Sequence, residues 1–229
     1  MKYDMRFLVA LLSLFMLVPP VATEAQVPPS SAEITSYTGL HAAAAIGDAD
    51  GVRRLVAEGA DPEVRDRAGR TPLHVAAFAS HDAVVRALAE SGADVNALEN
   101  DAYDIITIAA VADDPGMVRL ALSLGADPGN ITSRYDGTAL IAAAHLGHAE
   151  VVRTLIAAGA PLDHVNNLGW TALIEAVILG DGGPAHVATA GALIAAGADV
   201  SITDRDGLTA RMHAERMGYN AIAVLFQQP

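Results

Sequence analysis

The chain has no cysteine and a single lysine, Lys2, among its 229 residues. Without cysteine there is no disulfide, no thiol nucleophile and no lipid-attachment site. With no lysine after Lys2, a phosphate-binding loop of the G-x-x-x-x-G-K-[ST] type is excluded. Aromatic residues make up 4% of the chain, which suits thin, repeated layers better than one large core. Positive charge is scarce as well: 14 Lys and Arg face 27 Asp and Glu, a formal net charge of −13. Lys2 and Arg6 cancel Asp4 and Glu24, so the chain beyond residue 25 carries that whole imbalance. An acidic surface repels phosphate backbones and anionic lipid, which argues against nucleic-acid and membrane partners.

Long apolar runs are also missing, save one. Phe7 to Val18 is a 12-residue, almost wholly apolar stretch. It follows Lys2 and Arg6 and precedes Thr23-Glu24-Ala25, which offers small residues where a signal peptidase reads. The run is too short to cross a bilayer as a mature helix. Residues 1–25 are therefore expected to be a secretory signal cut after Ala25, and residues 26–34 a disordered lead-in containing proline and serine. The expected location is the periplasm of a bacterium, with full secretion as the alternative.

What the remainder does contain is repetition. Between Gly69 and Val95, Thr71 is placed to cap a helix and Pro72 to occupy its first position, where a missing N–H costs nothing. Leu73, Ala76 and Ala77 form a small apolar face, and Ala83, Val84, Leu88 and Ala89 form a second. Gly92 then stops the second helix. The Gly-Ala pair recurs at Gly59, Gly92, Gly125, Gly159 and Gly197, at separations of 33, 33, 34 and 38 residues. The capping position recurs at Thr38, Thr71, Asp104, Thr138, Thr171 and Thr209.

A 33-residue period opened by Thr71-Pro72-Leu73-His74, with Thr38-Gly39-Leu40-His41 close to it, resembles the ankyrin repeat. The resemblance implies an all-α solenoid of about six helix-pair repeats with projecting β-turn loops. The repeats are expected at about 35–66, 67–99, 100–133, 134–166, 167–204 and 205–229. The first and last serve as caps, and Arg211, Glu215 and Arg216 put charge on a helix with no successor to cover it.

Departures from the period are where chemistry would be sought. The third repeat has Asp104, Ile105 and Thr107 where the template has Thr, Pro and His. The fifth carries five extra residues within Gly180 to His186, read as an ordered structural loop, with a grip on a small ligand as the alternative. His145, His148 and Glu150 imitate a metal pattern, but a helix should end near Gly147 and separate the two imidazoles. His41 and His74 are expected to hold the turns of their own repeats. Asp61, Asp94, Asp127 and Asp199 recur with the period and so read as architectural. No catalytic constellation, cofactor site or metal site is expected.

The resemblance implies binding of another protein through the turn tips and the exposed side of the first helices. By register, one column is the residue before each cap, including Tyr37, Arg70, Tyr103 and Trp170. A second lies at the end of each first helix, including Phe78, Val111, His145, Ile178 and Leu179. Trp, Tyr and Arg are the types enriched at binding hot spots. The expected function is a non-catalytic, exported, monomeric module that holds a partner protein as scaffold, inhibitor or protector. The alternatives are a periplasmic small-ligand or metal binder using the fifth-repeat loop, and a secreted effector acting on a host protein.

Overall fold

The computed structural model describes residues 26–227; the expected signal, and with it the question of cleavage, lies outside them. Those residues form thirteen α-helices in six antiparallel pairs behind one short leading helix. The leading helix is α1 (Ser31–Ser36). The pairs are α2 (Gly39–Ile46) with α3 (Ala49–Ala57), α4 (Pro72–Phe78) with α5 (Asp82–Glu90), and α6 (Ile105–Val111) with α7 (Pro115–Ser123). They continue with α8 (Ala139–Leu146) and α9 (Ala149–Ala157), α10 (Ala172–Ile178) and α11 (Pro184–Ala195), and α12 (Ala210–Met217) and α13 (Asn220–Ala223). A 3-10 turn, Val224–Gln227, closes the described chain.

First helices pack on first helices and second helices on second helices along the stack, while each pair also packs on itself. That sandwiching explains the burial. In α6 every residue from Ile105 to Ala110 is buried, and in α4 every residue from Pro72 to Ala77. Second helices bury a stripe, shifted from the expected one: in α5 it is Val84, Val85, Ala87 and Leu88, with Ala83 exposed and Ala89 half-buried. At the end of the stack α12 buries only Ala210 and Ala214, and Arg211, Glu215 and Arg216 face solvent.

The caps form as their residue types dictate. Asp104, Thr138, Thr171 and Thr209 each accept the N–H three residues on. Thr71 differs: its amide donates to His74 Nδ1 at 3.1 Å and its hydroxyl lies 2.8 Å from the same nitrogen.

Hydrogen bonds between neighbouring repeats run in a regular pattern. His41 Nε2 bonds the carbonyl of Arg70, and His74 Nε2 that of Tyr103, so both histidines reach the next repeat's turn, while His74 also holds the start of its own repeat through Nδ1. The reach follows from burial: a short capped helix directs its first-turn ring across the stack, where a buried carbonyl needs a donor. In the opposite direction His81, His148 and His186 bond the carbonyls of Ala45, Ala110 and His145, each the second-last residue of the preceding first helix. Asp61, Asp94, Asp127 and Asp199 each accept an N–H two residues on, closing the turn after a second helix. In the third repeat, which lacks the histidine, Asn130 donates to Asp104 and Thr107 donates to Thr132.

The five-residue insertion lengthens α11 to 12 residues, against 9 in α9. It keeps His186 in the slot that His81 and His148 fill. Asp181 Oδ1 accepts from Gly183 N and faces His186 Nδ1, both at 2.8 Å, and Tyr219 donates to the Gly180 carbonyl. Gly182, at φ +70°, lies against the Tyr219 ring, where a Cβ would come within 2.4 Å of Cδ1.

The lead-in departs from expectation. Ser30 caps α1 with a reciprocal bond to Glu33, so helix begins at Ser31, where disorder to about Ile34 is expected. Composition missed the capping box because proline and serine are as common at helix starts as in linkers.

Candidate functional site

The concave side, where the turns meet the exposed edge of the first helices, differs sharply along its length. At the N-terminal end Tyr37 and Arg70 belong to a closed ion-pair network. Arg70 is only 2% exposed. Its Nε donates to Asp66 Oδ2 at 2.7 Å, its Nη2 pairs with Glu33 and its Nη1 donates to the Val27 carbonyl. Tyr37 donates to the same Asp66 oxygen at 2.6 Å. Asp66 Oδ1 accepts from the amides of Ala68 and Arg70. These bonds hold the Asp66 carboxyl below its usual range although burial pushes it up. Arg70 is thus sealed by α1 and the lead-in, and is corrected here from a partner-facing residue to part of the N-terminal cap.

Further along, the groove opens into a cleft of about 580 Å³ that spans repeats three to five. Tyr103, Tyr135 and Trp170 from three successive turns line it, with Val111, Leu146 and Leu179 from the ends of α6, α8 and the turn after α10. Leu146 and Leu179 are each 41% exposed. Of the expected partner residues, Tyr103, Val111, His145, Trp170 and Leu179 come together here; Tyr37, Arg70, Phe78 and Ile178 do not line it. Phe78 and Ile178 pack part-buried against the core.

The floor holds a residue that the sequence reading passed over. Glu175, on α10, is buried at 5% exposure and lines the cleft. Asn166 Nδ2 donates to its Oε1 at 2.7 Å, and His145 Nδ1 stands 3.7 Å from its Oε2. Burial raises the Glu175 carboxyl to about 7, with the Asn166 bond opposing. Burial, and then the neighbouring His186, lower His145. The signal was available. Four residues past the first four caps stand Ala42, Val75, Ile108 and Ala142, all apolar; past the fifth stands Glu175 and past the sixth His213. A carboxylate where the four preceding repeats have an apolar residue breaks the period as plainly as an insertion does.

The lead-in enters the same cleft. Gln26 lines it, and the next carbonyl, that of Val27, takes the Arg70 bond. The lead-in therefore already runs along this side of the stack.

Among the described residues no group of three or more His, Asp or Glu side chains is placed to hold a metal ion, and no helix is long and apolar enough to cross a membrane. His148 Nδ1 bonds the Ala110 carbonyl and His145 faces Glu175, so the two imidazoles are directed apart.

A solenoid of capped helix pairs, each stitched to the next at a 33-residue interval, is the ankyrin architecture. The chain belongs to the ankyrin-repeat family: residues 15–99 and 106–204 match ankyrin repeats, described as three copies. A solved ankyrin repeat domain from Acinetobacter baumannii AYE is 42% identical, with a TM-score of 0.77 over 82% of this chain and 95% of that one. The ankyrin repeat protein EF0377 is 31% identical, with a TM-score of 0.78 over 84% and 99%. A curated relative, the putative ankyrin repeat protein YahD of Escherichia coli K12, is 35% identical over 97 residues, 42% of this chain. That match spans about half of the relative's length, 48%. Ankyrin repeats are in general protein-interaction modules without catalytic activity, and the fold here is of that kind.

Proposed function

We propose that this protein is an exported, non-catalytic module that holds a partner protein in its concave groove, as a scaffold, inhibitor or protector of that partner. The observation that carries the reading is the cleft between repeats three and five, where the half-buried rings of Tyr103, Tyr135 and Trp170 line the wall beside the exposed Leu146 and Leu179. Aromatic rings presented along a groove are anchors of the kind that dominate protein interfaces. The export part rests on the basic start, the apolar run and the small residues before Gln26.

The loop alternative finds little support, since Asp181 and His186 bond each other, Gly183 and the His145 carbonyl. The test of the groove is the triple variant Tyr103→Ala, Trp170→Ala, Leu179→Ala, used as bait beside the wild type in the native organism. Loss of the wild-type partner with unchanged helical CD supports the groove; full retention overturns it. Fractionation with N-terminal sequencing tests export: mature protein outside the cytoplasm and starting at Gln26 supports it, and full-length chain in the cytoplasm refutes it.

A further inference from the structure

The fifth repeat carries a charge arrangement opposite to that of the sixth at one pair of positions, and it faces the cleft. Five residues before four of the six caps stands a side chain that accepts two N–H groups of its own turn: Asp66, Glu99, Asn166 and Asp204. Four residues after the cap stands its neighbour across the helix start. In the sixth repeat the pair is Asp204 with His213, an anion with an imidazole, 2.7 Å apart. In the fifth it is Asn166 with Glu175. The turn position has given up its negative charge and the helix position has taken one on. Asn166 keeps the turn bonds through Oδ1 and uses its amide to donate to Glu175 Oε1. A carboxylate at residue 166 would face Glu175 with like charge.

The negative charge thus stands on the floor of the cleft, not at the turn. Its Oε2 has His145 at 3.7 Å, beyond hydrogen-bond length. None of the residues lining the cleft is Arg or Lys. The nearby turn arginines are engaged elsewhere, Arg134 with Asp101 and Arg205 with the Asn167 carbonyl. Beyond residue 25 the chain has no lysine of its own to place there, and its net charge is −13.

Resting on the groove reading above, we propose that the cleft recognises a basic side chain, Lys or Arg, on an extended segment of the partner protein. Glu175 supplies the counter-charge, and Tyr103, Tyr135 and Trp170 supply aromatic walls. A desolvated cation gains most where a carboxylate and ring faces act together. The position of Gln26 in the cleft, next to Val27 on Arg70, marks the path such a segment takes, and binding displaces Gln26 from the cleft.

Charge at Glu175 also sets a pH dependence. The other titratable groups on the elements packed around it are His145 on α8, His186 on α11, bonded to Asp181, and, on α12, His213, bonded to Asp204, with Arg211, Glu215 and Arg216 exposed and Arg211 paired to Glu215. With the Glu175 carboxyl near 7 when free, a cation that needs the ionised form binds about tenfold less tightly at pH 6 than at pH 8.

Trp170 is the only tryptophan, so its fluorescence reports on the cleft. The purified protein is titrated with blocked pentapeptides carrying a central arginine, lysine or citrulline between glycines. The expected result is that the arginine and lysine peptides shift Trp170 emission while citrulline binds at least about tenfold more weakly. In Glu175→Gln, which retains an acceptor for Asn166, the preference and the pH dependence vanish while CD is unchanged. Arginine and citrulline binding equally well to wild type overturns the cation proposal and leaves the groove reading standing. So does full arginine preference in Glu175→Gln. Free guanidinium binding as tightly as the arginine peptide overturns the commitment to a protein segment. No response to any peptide up to roughly 10 mM overturns the proposal; combined with a triple variant that still retains the partner, it removes the groove reading as well.

Discussion

Arg70 and Trp170 stand at the same register, one residue before a helix cap, three repeats apart. One is sealed and the other lines an open cleft. Both ends of the stack use the same helix pairs and turns, so the repeat alone does not decide which column is available. The difference comes from outside the repeats. At the N-terminal end α1 and the lead-in cover Arg70 and bring it Glu33 and the Val27 carbonyl. At repeats three to five, among the described residues of the lead-in, Gln26 reaches the cleft, and the rings line it half-buried. A solenoid presents a ladder of equivalent sites, and what lies across the rungs selects among them.

Alanine at each of the two positions separates their roles most strongly. Arg70→Ala takes the cation from Asp66, which is part-buried, and releases α1. The expected loss is about 3 kcal/mol, since removing one partner of a buried pair leaves the other uncompensated. Trp170→Ala is expected to leave folding stability within about 1 kcal/mol, because the ring is only part-buried at the groove, while abolishing partner capture. Chemical denaturation beside the capture assay checks both. Equal stability losses at the two sites would mean that Trp170 is also architectural.

The next effect belongs to Glu175. Its carboxyl is raised from 4.5 to about 7 in the folded chain, so across that window the folded state retains a proton that the unfolded state has lost. Stability from this group is present below about pH 4.5 and falls as pH rises toward 7. Glu175→Gln is therefore expected to be neutral near pH 4 and stabilising by about 3 kcal/mol at pH 8. His74, pushed down to about 4 by burial, acts oppositely: its contribution is present above pH 6.5 and lost as pH falls toward 4. Denaturation at several pH values, compared between variant and wild type, isolates the Glu175 part because His74 is common to both.

How much of this was legible in the sequence depends on what the period reaches. The helix pairs, their caps and the Gly-Ala-Asp turns were legible because each is a local signal repeated in register. The recurring His-to-carbonyl stitches were visible as recurring histidines, but their reach was not: His74 holds the cap of its own repeat and also bonds the repeat after it, and only the stack shows the second. Arg70 was misjudged because its partners, Glu33 and Val27, precede the first repeat and have no register at all. Five of the nine expected groove residues share the cleft because the period places them; the open stretch is set by neighbours that the period does not describe. Glu175 was overlooked by attention to insertions: a single substitution against the column carries as much information, since a buried carboxylate is kept only where something makes it tolerable.

The smallest effect isolates a single oxygen in each half. Tyr37 and Tyr103 share the register of Arg70 and Trp170, and both are part-buried. The Tyr37 hydroxyl donates to Asp66 at 2.6 Å inside the sealed network, and burial followed by that bond raises its own ionisation. Tyr103 lines the open cleft. Tyr37→Phe removes a donor from a carboxylate already shared with Arg70, for an expected cost of about 1 kcal/mol. Tyr103→Phe keeps the ring and is expected to stay within about 0.5 kcal/mol in stability, with partner capture reduced only if its hydroxyl meets the partner. If the closed half is held by its network and the open half by ring surface, paired denaturation curves separate at residue 37 and coincide at residue 103. Coincidence at both would show that the Arg70 pairings hold the N-terminal cap without help from Tyr37.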